Sequence, residues 1–251
     1  MGNERLREQI HRRGLTVDEL AHHVEVDPKT VARWIQNGRT PHPRHRVRTS
    51  TVLEVDETYL WPDLLSDERV NRTSQAEILN VYATRNAVPQ DLWLRLVDDV
   101  ESRMDVLVFA GLFLLDSNPD VPGRLVAKAH DGLQARLAYG DPDSPVTARR
   151  GDEEGIGDSL AARIRLSLHY LKPALGCPGI EVRQHETVLY NSIYRFDDEM
   201  LVNTHVIGSP AGQNPVLHLQ RIEGGHLFDH YMTSFARVWE SSVPMTETFS
   251  A

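Results

Sequence analysis

The sequence predicts an α+β chain in two parts, an all-α domain over residues 1–65 and an α/β domain with a mixed sheet over residues 77–251, joined by a linker at 66–76. Three observations predict this. The first sixty residues hold short amphipathic runs with clear start and stop signals, whereas strand-like and helix-like runs alternate after residue 77. A chain of 251 residues also exceeds the usual single-domain size. Charge divides the same way: residues 1–65 carry 10 basic and 10 acidic side chains and the remainder 17 and 26, so the whole net charge of -9 belongs to the second part.

The elements of the first part follow in order. Glu4 to Arg13 places Leu6 and Ile10 four apart and stops at Gly14. Thr16 stands three residues before Glu19, a capping box, and Val17, Leu20, Ala21 and Val24 then recur at helical spacing. Asp27 is an N-cap, Pro28 suits the first helical position, and Val31, Trp34 and Ile35 are the buried residues of a helix that stops at Asn37-Gly38. The last two helices, joined by a tight turn, form a helix-turn-helix. The second of them turns Lys29, Thr30 and Arg33 outward, with Arg39 just past its end, and these are donors suited to phosphates and guanine edges. From Pro28 to Arg48 there are six Lys or Arg and no Asp or Glu, plus His42 and His45, a pattern expected of a phosphate-binding surface. A solvated basic helix face is the alternative.

These residues resemble the lambda-repressor-like helix-turn-helix regulators of the xenobiotic-response-element (XRE) class, in the form common in filamentous actinobacteria. The resemblance covers about residues 4–65, through Thr16, Ala21, Val26, Lys29-Thr30-Val31, Trp34, Gly38-Arg39-Thr40 and the closing Tyr59-Leu60-Trp61-Pro62. It implies that Thr16 touches phosphate, that Lys29, Thr30 and Arg33 face base edges, and that Arg39, Arg44 and Arg46 add backbone contacts. One departure stands out. The family's turn Gly, four residues after Ala21, is Glu25 here, which must take a left-handed conformation or shift the turn.

In the second part, Ile78–Ala83 reads as a strand, Pro89–Arg103 as a helix, and Asp105–Gly111 as a buried strand because it is an almost unbroken apolar run. A helix over Gly123–Asp131 and a strand over Gln134–Gly140 come next, then a turn with Pro142 and Pro145, a Gly-rich loop over Arg149–Gly157 and a helix over Asp158–Leu171. Strands follow at Ile180–His185, Ser192–Phe196, Met200–Val206 and Val216–Ile222, and an amphipathic helix over His226–Trp239 closes the chain, its apolar stripe serving core or dimer interface.

The stretch Ser192–Ala211, two strands around Asp197-Asp198 ending in Gly208-Ser209, resembles one half of the phospholipase D-like fold. That family uses a His and a Lys ahead of the turn, and Tyr190 and Ser192 occupy those places. Without imidazole to attack phosphorus or ammonium to hold its oxygens, cleavage by that mechanism has no agent. The resemblance therefore implies a non-catalytic relative, and a single half implies a homodimer, which would pair two helix-turn-helix heads on a near-palindromic double-stranded DNA.

The remaining signals are smaller. Arg149 and Glu154 on the Gly-rich loop, with Asn203, His205 and Ser209 near the former active loop, are candidate ligands for a small anionic effector, the loop glycines letting N–H groups approach it. His226 and His230 stand four apart, yet no third ligand is evident, so neither a metal nor a cofactor is expected. The one cysteine, Cys177, precludes an internal disulfide; with no apolar run long enough for a membrane span and no signal peptide, a cytoplasmic location is expected. The expected function is a DNA-binding transcriptional regulator whose second domain dimerises and senses an anion. The alternatives are a DNA-directed phosphodiester hydrolase around His185, His205 and Asp197, and a ligand-free protein-interaction platform.

Overall fold

The computed structural model describes residues 2–65 and 75–245. The linker expected at 66–76 lies, for residues 66–74, outside the described residues. The chain divides into two compact units, one from the N-terminus to Gln75 with 223–226, the other from Ala76 to Ile222 and from Leu227 onward.

The first unit is helical: α1 (Glu4–Arg12), α2 (Val17–Val24), α3 (Pro28–Asn37), α4 (Pro43–Leu53) and the short α5 (Glu57–Leu60). The capping box at Thr16 forms in both directions, with Thr16 Oγ1 accepting from Glu19 N at 3.2 Å and Glu19 Oε2 accepting from Thr16 N at 2.7 Å. Asp27 caps α3 by accepting from Lys29 N at 2.8 Å. Leu6, Leu20, Val24, Val31, Leu53 and Leu60 are fully buried together, each side chain contributing roughly 1.5–3 kcal/mol by leaving water.

The second unit is built on one eight-stranded mixed sheet, β1 (Ile78–Tyr82), β2 (Arg103–Val108), β3 (Gln134–Gly140), β4 (Ile180–His185), β5 (Asn191–Phe196), β6 (Glu199–Thr204), β7 (Val216–Gln220) and β8 (Val243–Pro244), in the order β1-β7-β6-β5-β2-β3-β4-β8. Strands β2, β3 and β4 are parallel, and the other pairings are antiparallel. The helices are α6 (Gln90–Asp99), α7 (Leu112–Asp116), α8 (Val121–His130), α9 (Pro145–Glu153), α10 (Ser159–Tyr170) and α11 (Leu227–Ser241). As its apolar run demands, β2 is buried from Met104 to Val108. Phe228, Phe235, Val238 and Trp239 of α11 join the core, and the helix start is held by the buried Glu77, whose carboxylate accepts from Leu227 N at 2.8 Å and Phe228 N at 3.0 Å. Next to it, Asp105 is 2% exposed and paired on both sides, with Arg136 at 2.6 Å and Arg195 at 2.9 Å, so its charge is compensated.

Several boundaries differ from the sequence expectation. The helix expected to reach Arg103 stops at Asp99, because Asp197 accepts from the N–H groups of Glu101, Ser102 and Arg103 and sends the chain into β2. The strand expected through Gly111 ends at Val108, and Gly111, at φ 59°, turns the chain into α7, a helix not expected from the sequence. Much of the Gly-rich loop is also helical: Ser144 accepts from Thr147 N and Pro145 takes the first position, the start signals of α9. Gly151 lies inside that helix. A Cβ there would stand 2.2 Å from the Gly157 carbonyl oxygen, so glycine is required by a close backbone approach.

Candidate nucleic-acid interface and ligand pocket

The turn between α2 and α3 keeps its geometry despite its glutamate. Glu25 sits at φ 57° and ψ 50°, the left-handed one of the two options the sequence left open, and its carboxylate accepts from Arg48 Nη2 at 2.8 Å, with Arg48 Nη1 at 2.6 Å and Arg44 at 3.8 Å. Arg48 is thereby engaged within the unit. The Arg48 guanidinium is also the largest cause of a lowered Glu25 pKa, so the acid stays ionised and the pair intact.

Arg46 is the correction on this face. Its side chain is 6% exposed and paired to Glu57 at 3.1 Å, and it also donates to the Pro41 carbonyl. It ties α4 to α5 and is not presented to a phosphate backbone. Thr16 is exposed, and its hydroxyl donates to Glu19 Oε2, also exposed, at 2.8 Å. Lys29, Arg33 and Arg39 are exposed, and among the described residues no carboxylate lies within 4.0 Å of any of them. Thr30, Arg33, Arg39 and Arg44 line a concavity of about 610 Å³ with His42 and His45, and the acids Glu25 and Asp27 line it too. The outward side chains of α3 and the residues that follow thus form one open, cation-lined surface.

In the second unit a cavity of about 320 Å³ lies at the end of the sheet where β2 finishes, β5 begins and β6 finishes, the edge at which open α/β sheets hold ligands. Phe109, Leu112, Phe113, Leu160 and Tyr194 supply apolar wall, while Arg85, Glu154, Arg163, Ser192 and His205 supply polar groups. The His205 ring is held at both nitrogens. Nδ1 lies 3.1 Å from the Leu189 carbonyl, which can only accept, so Nε2 carries no hydrogen and accepts from Ser192 Oγ at 3.0 Å. Burial, reinforced by the charges of Arg150 and Arg85, lowers its pKa to about 4 against the weaker pull of the Leu189 carbonyl, so the ring is neutral near pH 7. Burial also pushes the Tyr194 phenol up to about 12.

Of the ligand residues expected from sequence, His205 and Glu154 line this cavity. Glu154 is nearly buried and paired to Arg150 at 2.7 Å. The others do not join them. Arg149 is 80% exposed beside Glu153; Asn203 is fully buried and donates to the carbonyls of Asn214 and Pro215; Ser209 contributes a carbonyl that accepts from Arg150 and Asn214. The expected anion cradle of the Gly-rich loop also fails, because the N–H groups of Gly155, Ile156 and Gly157 are bonded to the Asp152 and Gly151 carbonyls.

Arg85, Arg163, Phe109 and Phe113 were not foreseen. Arg85 follows β1, and only the pairing of β1 with β7 beyond β6 brings it to the cavity, a long-range register that local periodicity does not encode.

Of the trio of the hydrolytic alternative, His185 and His205 both lie against Phe109, whereas Asp197 stands apart. Asp197 sits five residues along β5 from Ser192, about 16 Å at the rise of a strand, and its carboxylate is engaged with three backbone N–H groups. His185 donates from Nε2 to the Val108 carbonyl at 3.0 Å and accepts at Nδ1 from Thr187 N at 3.2 Å, with burial lowering its pKa. Among the described residues no group of three His, Cys, Asp or Glu side chains could hold a metal ion, and no helix is long and apolar enough to cross a membrane.

Neither a protein-family model nor a curated protein sequence matches the chain. Solved structures that share low similarity with it include the following two. The archaeal chromatin protein TrmBL2, whose structure is described as showing a novel mode of DNA binding, has a TM-score of 0.42 and 11% identity, covering 88% of this chain and 72% of its own. The phospholipase D family member Nuc from Salmonella typhimurium has a TM-score of 0.38 and 14% identity, covering 66% of this chain and 96% of its own. At these levels of similarity, the functional reading rests on the geometry of the chain itself.

Proposed function

We propose that the chain is a sequence-specific DNA-binding transcriptional regulator, in which the first unit reads duplex DNA and the second pairs two copies and senses a small anionic ligand without cutting DNA. The observation that carries the reading is the state of the cations around α3. Arg46 and Arg48 hold the unit together, whereas Lys29 and Arg33 on α3 and Arg39 just past its end are exposed, with no carboxylate within 4.0 Å among the described residues. A helix with donors on its outer face and cations past its end suits a major groove, which admits one helix and offers guanine acceptors to Arg. A second copy adds a second half-site and supplies the affinity that one small head lacks. The binding role of the second unit is supported by the cavity and by the engaged state of its Asp197 and His185.

Titration of the full chain against a random-sequence duplex at low salt tests this reading. Binding that weakens linearly in log–log form as salt rises is expected, and no binding at low salt would overturn it.

A further inference from the structure

Arg85 has no ion-pair partner among the described residues, and Glu154 acts on it only at longer range. Its guanidinium lies over the Phe113 ring at 4.1 Å from the centroid, and among the described residues no carboxylate stands within 4.0 Å of it. Burial is the largest cause of its lowered pKa. Gly212 lets the 210–213 turn close against it, since a Cβ at that position would stand 3.2 Å from Arg85 Nη2 and 3.0 Å from Asn86 Oδ1. The chain has therefore packed a desolvated donor fork against a ring and left it facing a cavity.

Apart from Arg163, which also lines the cavity, the other polar groups there are already partnered. Glu154 pairs with Arg150, Asp116 accepts from Tyr170 at 3.4 Å, and His205 and Ser192 bond each other. With Glu154 neutralised by Arg150, which stands outside the lining, Arg85 and Arg163 face Asp116 and leave a surplus of one positive charge. Most of the wall is carbon. Phe113 meets Tyr194 and Trp93 edge-on at 5.8 and 4.9 Å, and Phe109 lies 6.1 Å from the His205 ring. So apolar a wall disfavours a compact, strongly hydrated dianion, which would lose its water against carbon over most of its surface. A volume of about 320 Å³ holds about ten waters, the scale of a small organic acid.

We infer that the cavity binds a small aryl carboxylate, its carboxylate on Arg85 in the two-point contact that guanidinium favours and its ring among Phe109, Phe113 and Tyr194. This deepens the anion-sensing part of the proposed function by fixing the class of anion.

Thermal unfolding and calorimetry on the full chain decide it, with phenylacetate, its neutral amide and inorganic phosphate as probes. Phenylacetate at a hundredfold excess over its Kd should raise the Tm by on the order of 5 °C, with phenylacetamide and phosphate binding at least tenfold more weakly. Arg85→Met should abolish the response. Should that variant fail to fold, Ala211→Phe, which fills the cavity from its lining, should weaken phenylacetate at least tenfold. Equal binding of the amide would overturn the role of the charge. Phosphate bound as tightly as phenylacetate, and lost with Arg85→Met, would overturn the aryl carboxylate while leaving anion sensing intact. No response to any probe would overturn both.

Discussion

Glu25 shows how one side chain meets two constraints. The α2–α3 turn requires a left-handed residue, which glycine supplies at least cost, yet the glutamate here lets the turn hold Arg48 and draw in Arg44. Replacing it with glycine removes a negative charge from the edge of the concavity and frees both arginines. Glu25→Gly should therefore bind duplex DNA more tightly, with a salt slope steeper by about 0.9 for each phosphate that a freed arginine reaches. Arg46→Ala has the opposite signature. It leaves Glu57 partly buried and unpaired, so the first unit should lose about 2 kcal/mol in denaturant unfolding, with no change in salt slope once folded. His205 adds a pH dependence. Its folded pKa, about 4, lies below the unfolded value of about 6.5, so the unfolded chain binds a proton first as pH falls. Stability should decline from about pH 6.5 to pH 4, by about 3 kcal/mol from this residue at most, then level off for this group; buried His185 acts in the same direction. A His205→Asn variant whose stability falls as steeply over that window would contradict the assignment.

At the scale of elements, the legibility of the sequence followed the range of the interactions. Helices α2 and α3 were readable because Thr16, Glu19, Asp27 and Pro28 act within a turn of themselves, and β2 because its burial leaves an unbroken apolar run. The α6–β2 boundary was not readable, since Asp197, about ninety-five residues away, decides it by accepting three N–H groups at 2.7–3.0 Å. Asp197→Ala should cost about 3 kcal/mol of stability in the second unit while leaving the cavity's ligand affinity unchanged. The same limit explains the pocket. His205 and Glu154 were legible as polar residues beside loop signals, but Arg85 reaches the cavity only through the β1-β7-β6 order, and Asn203 was misjudged because its burial depends on the loop that leads into β7. In and just after α9, Gly151, Gly155 and Gly157 suggest an anion loop from composition alone. Their actual work is a close approach and two left-handed positions, at φ 70° and 48° for the last two.

For the whole molecule, residues 1–65, neutral overall yet cationic around α3, are joined to a remainder that carries the net negative charge. Neutral balance with segregated sign favours binding through one face and keeps the remaining surface away from phosphate. If two copies act together, a near-palindromic duplex should bind with two chains per site and a half-site with markedly lower affinity, which sedimentation of the complex would distinguish. The most direct measurement is the salt dependence of duplex binding by the full chain, compared with a folded Arg33→Ala/Arg39→Ala/Arg44→Ala variant. The account predicts a strong negative slope of log Kobs against log salt for the native chain, shallower by about 2–3 in the variant. Native and variant chains with the same slope, or no binding even at low salt, would contradict it.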